Sequence, residues 1–154
     1  MRKLIFFLAS ALLASAAHAN TLDFPQAGFS IDSIDAVPSL AGGQPLQMFL
    51  PPENGFSANI NVQIQPYPGT MEQYLELSES QFKQMGLTVI SSKVFGETSF
   101  FECAGLMQGM ELHFYAKAVK KGDFVYLATA TDSKHNWDSN KNKLISAIDS
   151  LKLK

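Results

Sequence analysis

Four strand-like runs follow one another over residues 88–95, 98–107, 110–119 and 124–131, with Gly96-Glu97, Gln108-Gly109 and Lys121-Gly122 at the joints. Joints this short leave room only for hairpins, so consecutive runs must pair antiparallel as a meander. Side chains alternate faces along a strand, which makes the pairing register a statement about which residues meet. If Gln108-Gly109 is a two-residue loop, Met107 faces Met110, Cys103 faces Phe114 and His113 faces Ala104. Cys103 then shares a face with Phe101, Leu112 and Phe114, while Glu111, His113, Tyr115 and Lys117 share the other. Across the Lys121-Gly122 joint that second face gains Phe124, Tyr126, Ala128 and Ala130.

Upstream, Ala58, Ile60, Val62 and Ile64 alternate with Asn59, Asn61, Gln63 and Gln65, the pattern of a half-buried strand over 57–65 with one polar face. Thr70 opens a helix, with Gln73 at capping-box spacing and Met71, Leu75, Ser78, Phe82 and Met85 along one stripe. Glu79 and Lys83 form an i,i+4 pair, and Gly86 is placed to end the helix. A last helix runs from about Trp137 to Leu151, with Trp137, Leu144, Ile148 and Leu151 on its apolar face. In the Gly- and Pro-rich stretch before residue 52, Phe29–Asp32 and Leu46–Leu50 read as short strands. Together these elements predict an α+β class, an antiparallel sheet of meander plus N-terminal strands packed by two main helices.

The chain opens with the three-part pattern of a cleaved secretory signal. Arg2 and Lys3 precede an apolar run over Leu4–Ala16, and Ala17-His18-Ala19 supplies the small residues a signal peptidase reads. The run is shorter than the roughly 20 residues a membrane span needs. Cleavage near Ala19 is expected to leave a single domain over 20–154, 135 of the 154 residues, working in the periplasm or secreted. Cleavage also removes the only arginine, leaving 10 basic residues, all lysine, against 14 acidic ones, a formal charge of −4. Without arginine or a basic stripe, nucleic acid is a poor partner. No later apolar run reaches membrane-spanning length, so no transmembrane segment is expected. Cys103 is the only cysteine, so no intramolecular disulfide can form, and no cysteine stands at the cleavage site to carry a lipid anchor.

The order of elements resembles the PsbP-like superfamily, and within it the bacterial DcrB-like envelope proteins. The resemblance is carried by Asn59-Ile60-Asn61-Val62 before a Pro-containing turn, Met71-Glu72-Gln73-Tyr74-Leu75 opening the helix and Val89-Ile90-Ser91-Ser92 opening the meander. It continues through Phe124-Val125-Tyr126, Ala128-Thr129-Ala130 and Trp137 to Ala147-Ile148-Asp149-Ser150-Leu151, covering roughly residues 28–152. It implies a PsbP-like α/β/α sandwich and an assembly, chaperone or accessory role. It also implies that an apolar groove between helix and sheet, as secretion chaperones use, is available to a client.

Candidate chemistry is sparse. Cys103 and His113 fall on opposite faces, so a thiol–imidazole pair is not expected, and a free cysteine usually acts as a small apolar filler. Glu111 and His113 offer two metal ligands, where a zinc site takes at least three from the protein. No Gly-x-Ser-x-Gly, Cys-x-x-Cys, His-Glu-x-x-His or phosphate-cradling loop is present, and no cofactor is expected. Asp132, Asp138 and Asp149 read as helix-terminal, solvated charges, and Met71, Met85, Met107 and Met110 as core.

The expected function is that of a non-catalytic periplasmic interaction protein binding another envelope protein or an apolar ligand. The contact residues are sought on the second sheet face, at His113, Tyr115, Lys117 and Tyr126, or in the N-terminal loops, at Phe49 and Phe56. The alternative is a metal-binding protein or hydrolase using Glu111 and His113, with Lys117 beside them.

Overall fold

The computed structural model describes residues 21–24, 29–32 and 46–153. The signal segment 1–19 and the loop from Val37 to Pro45 lie outside the described residues. The chain divides into two compact units, residues 1–39 and residues 40–154.

In the first unit, β1 (Thr21–Phe24) pairs antiparallel with β2 (Phe29–Asp32), Thr21 opposite Asp32 and Phe24 opposite Phe29. The strand expected at 29–32 therefore belongs to a two-stranded ladder of its own, not to the main sheet. Its partner is the adjacent segment 21–24, reached by a short connection.

The second unit is built on β3 (Leu46–Phe49), β4 (Asn59–Pro66), α1 (Met71–Gln84), β5 (Thr88–Phe95), β6 (Thr98–Met107), β7 (Met110–Lys121), β8 (Phe124–Ser133) and α2 (Lys134–Asp149). Six strands form one antiparallel sheet in the order β3-β4-β8-β7-β6-β5. Met107 faces Met110, Cys103 faces Phe114 and Ala104 faces His113, the register expected from a two-residue Gln108-Gly109 loop. Both loop residues have positive φ, at 51° and 82°, as this turn requires to match the twist of its strands. The β7–β8 loop is Gly122-Asp123, since Lys121 pairs with Phe124. That sits one residue later than the expected joint, which moves the register by two and leaves every side chain on its expected face. A bulge at Ile90 interrupts β5, where Val89 faces Cys103 and Ser91 faces Glu102.

α1 has both halves of the capping box: Gln73 N–H donates to Thr70 Oγ1 at 3.2 Å, and Thr70 N–H donates to Gln73 Oε1 at 3.0 Å. Its end is a Schellman turn, with Leu87 N–H donating to Phe82 O at 2.9 Å, Gly86 N–H to Lys83 O at 3.0 Å, and Gly86 at φ 78°. Glu79 turns to the Ser92 hydroxyl on β5. The ion pairs among the described residues are His113–Glu102, Lys134–Glu111 and Lys141–Asp138, so Glu79 and Lys83 do not form the expected pair. α2 starts three residues before Trp137, because the Ser133 hydroxyl caps it by accepting from Asn136 N–H at 3.2 Å.

The two helices lie on opposite faces. Met71 and Tyr74 of α1 pack with Phe101, Ala116, Ala118 and Val125. Trp137, Leu144 and Ile148 of α2 pack with Ala58, Ile60, Ala128 and Ala130. The result is an α/β/α sandwich: α1 rests on side chains of β6, β7 and β8, and α2 on side chains of β4 and β8. Six strands about 4.8 Å apart make a sheet about 24 Å wide, and a helix is only about 10–12 Å across. Among the described residues there is one helix per face, which by itself spans part of that face. Among the described residues no helix is long and apolar enough to cross a membrane.

Two expectations about single residues change. Asp132 is fully buried instead of solvated, its carboxylate accepting from Ser133 N–H at 2.7 Å and from Asn140 Nδ2 at 2.9 Å. It sits where β8 runs into α2, so the helix covers it. Among the described methionines only Met71 is in the core; Met85 is 49 % and Met110 42 % exposed, because α1 ends at Met85 and Met110 opens β7 at the hairpin.

Candidate functional site

The residues expected on the second sheet face are brought together, and α2 is what they hold. His113 Nε2 lies 2.8 Å from Glu102 Oε1, and its ring stacks on Trp137. Glu111 accepts from Lys134 Nζ at 3.1 Å, at the first residue of α2. Tyr115 OH donates to Asp149 Oδ1 at 3.1 Å, and burial with the Asp149 charge beside it pushes its phenol up to about 12. Lys117 Nζ donates to the Asp149 and Leu151 carbonyls at 2.9 and 3.1 Å, satisfying groups the helix end leaves open. The row Glu111, His113, Tyr115, Lys117 spans about 20 Å at strand rise, and α2 from Lys134 to Asp149 about 22 Å at helical rise. One strand thus grips the helix from its first turn to its last.

The remaining expected contact residues stand apart from this row in the ladder. Tyr126 is half-buried between Ile64 of β4 and Val119 of β7. Phe49 is 60 % exposed on the edge strand β3. Phe56 is half-buried and closes a turn by pairing with Glu53. Asn136 holds that turn against α2, donating to Glu53 O at 3.0 Å while its Oδ1 accepts from Asn54 Nδ2 at 2.8 Å. Glu111 and His113 are engaged with different partners. Among the described residues no three His, Cys, Asp or Glu side chains are grouped so as to hold a metal ion.

The opposite face carries an apolar groove between helix and sheet, of the kind the resemblance implies, at residues outside the expected contact set. Along the flank of α1 runs a recess of about 140 Å³, walled by Phe82 and Met85 of α1, Leu87, Phe101, Cys103 and Met107 of β6, and Phe114, Ala116, Leu127 and Thr129 of β7 and β8. A second recess of about 350 Å³ shares Phe82, Phe101 and Leu127 with it and continues toward Gln65, Tyr67, Tyr74 and Gln81. No charged side chain lines either one. The wetter end holds a relay: Tyr74 OH donates to Gln65 Oε1 at 2.8 Å, and Gln65 Nε2 donates to Gln63 Oε1 at 3.1 Å. Burial raises the Tyr74 phenol to about 12. Burial, with the Glu102 charge nearby, raises the Cys103 thiol to about 11, so at neutral pH it is a protonated, apolar wall group.

The signal for this groove was present in the sequence. Phe82 and Met85 continue the helix stripe, and Phe101, Cys103 and Phe114 share a sheet face in the meander register. What sequence spacing does not contain is the lateral placement of the helix, which decides whether those side chains are covered.

No family model matches the chain, and no curated protein matches it. Among solved structures the Pseudomonas aeruginosa protein PA94, described as a protein of unknown function, is similar with a TM-score of 0.65 at 12% identity, covering 89% of this chain and 98% of that one. The cyanobacterial PsbP (CyanoP) of Synechocystis sp. PCC 6803 aligns with a TM-score of 0.46 at 12% identity, covering 93% of this chain and 96% of that one. At such identity the likeness to PA94 is one of fold, and fold does not carry function with it.

Proposed function

We propose that this chain is a non-catalytic accessory protein of the bacterial envelope, of the DcrB-like kind within the PsbP-like superfamily, and that it holds an apolar side chain of a protein partner between α1 and the sheet. The observation that carries the reading is the uncharged recess of about 140 Å³ beside Phe82 and Leu127. Pockets for whole small molecules run to about 300–1,000 Å³, whereas a cavity of about 150 Å³ takes one benzene ring. The size of this recess suits a single Leu, Met or Phe anchor. The export pattern over residues 1–19 supports the envelope as the place of action. The grip of Glu111, His113 and Lys117 on α2 supports a structural role for the row otherwise read as a metal or hydrolase site.

The test is a photo-crosslinking residue at Met85, in cells that export the protein. A specific protein adduct is expected, lost on Leu127→Glu and kept on His113→Ala, with no adduct from the same probe at the exposed Lys143 on α2. Adducts that survive Leu127→Glu would sink the reading. Recovery of lipid in place of protein would replace it with a carrier function.

A further inference from the structure

Met85, the C-terminal cap of α1, and Met107, the last residue of β6, come from different elements and line the same recess. We propose that these two thioethers are an oxidative modification site whose sulfoxides close the recess to apolar side chains. The inference rests on the recess being a docking site. Its chemistry needs a peroxide as oxidant. A thioether lone pair attacks one oxygen of hydrogen peroxide, the S–O bond forms as the O–O bond breaks, and the leaving hydroxide takes the proton of the transferred oxygen and departs as water. Sulfur is oxidised by two electrons and the peroxide reduced by two.

Exposure opens the site to the oxidant and leaves the core methionine out of reach. Met85 is 49 % exposed and open to the oxidant, while Met71 at the other end of the same helix is 2 % exposed and shielded. The wall explains the consequence. Apart from the methionines it consists of Phe, Leu and Ala side chains with only the Cys103 thiol and the Thr129 hydroxyl as hydrogen-bonding groups. A sulfoxide turned inward lacks adequate donors there, and one turned outward withdraws a thioether from the wall and adds a dipole at its edge. Met48 and Met110 are comparably exposed on β3 and β7 but do not line the recess, so they serve as internal controls.

The experiment is a toluene titration of the mature protein followed by NMR, before and after hydrogen peroxide, with the oxidised residues located by peptide mass spectrometry. Oxidation of Met85 and Met107 is expected to weaken toluene binding by about tenfold or more, the scale set by an unpaired polar group at an apolar site. Methionine sulfoxide reductases are expected to restore it. The Met85→Leu/Met107→Leu variant, close in volume, is expected to bind toluene and to keep binding it after peroxide. Unchanged affinity with both residues oxidised overturns the proposal, as does a folded protein in which Met48 and Met110 oxidise and Met85 does not. An equal loss in the double-leucine variant overturns it too. Failure of the untreated protein to take up toluene is a different result, because it removes the docking site itself.

Discussion

The imidazole of His113 lies flat on the indole of Trp137, ring centroids 4.1 Å apart and planes 17° from parallel, while its Nε2 meets Glu102. The contact joins the middle of the sheet to the first turns of α2, and Trp137 is also one of the buried residues under that helix. Trp137→Ala is therefore expected to cost about 3–5 kcal/mol, mostly through the cavity it leaves. The stacking itself is readable in a double-mutant cycle with His113→Ala, where a coupling of about 0.5–1.5 kcal/mol is expected from urea unfolding. Strict additivity would mean the two rings merely adjoin.

Gly105 marks the closest approach of the α1–β5 connection to the sheet. A Cβ there would stand 2.9 Å from Leu87 Cδ2 and 3.0 Å from the Gly86 carbonyl oxygen. That carbonyl shares its peptide with the Leu87 N–H that closes the Schellman turn, so giving way there strains the turn. Gly105→Ala is expected to lower stability by about 1–3 kcal/mol, the usual range for overpacking. A thermal midpoint equal to or above that of the parent protein would show that the turn yields.

Ser99 is fully buried on β6, and its hydroxyl has no hydrogen-bond partner among the described residues. An unpaired buried hydroxyl costs free energy that alanine does not incur. Ser99→Ala is expected to leave stability unchanged or to raise it by up to about 1 kcal/mol. A denaturation midpoint that falls clearly below the parent's would reveal a partner for the hydroxyl in solution.

Alkaline pH should weaken the fold in a defined window. Burial raises Cys103 to about 11 and both Tyr74 and Tyr115 to about 12, from ordinary values of 9.0 and 10.0. Between the ordinary and the raised value the unfolded chain has lost the proton that the folded chain keeps, so the folded state binds more protons and stability falls as pH rises. The contribution is fully present below pH 9 and lost by about pH 12. Tyr115→Phe removes one titrating group and is expected to flatten the fall above pH 10, measured by urea unfolding across the range. The same burial predicts slow labelling of Cys103 by thiol reagents in the native protein at neutral pH, and fast labelling after unfolding.

Much of the second unit was legible because its signals are local. Two-residue joints dictate hairpins, a hairpin loop dictates register, and register dictates that Cys103 and His113 part company across the sheet. Thr70, Gln73 and Gly86 act within a few residues of the helix ends they set. The apolar stripe begins only at Trp137, whereas the cap that starts α2, Ser133, stands ahead of it. The pairing of residues 29–32 was misplaced because strand pattern does not name a partner.

What the sequence determined by itself is therefore the set of elements, their antiparallel order in the meander and the face each side chain takes, since sterics and short connections act along the chain. The lateral placement of each helix was a tertiary decision. Packing put α2 over the row Glu111, His113, Tyr115 and Lys117 and turned candidate ligands into its clasp. It set Met71 and Tyr74 of α1 on Phe101, Ala116, Ala118 and Val125 and left Phe114 and Leu127 lining a recess. A helix about half as wide as the sheet beneath it must leave one side uncovered, and only side-chain fit among distant segments chooses which.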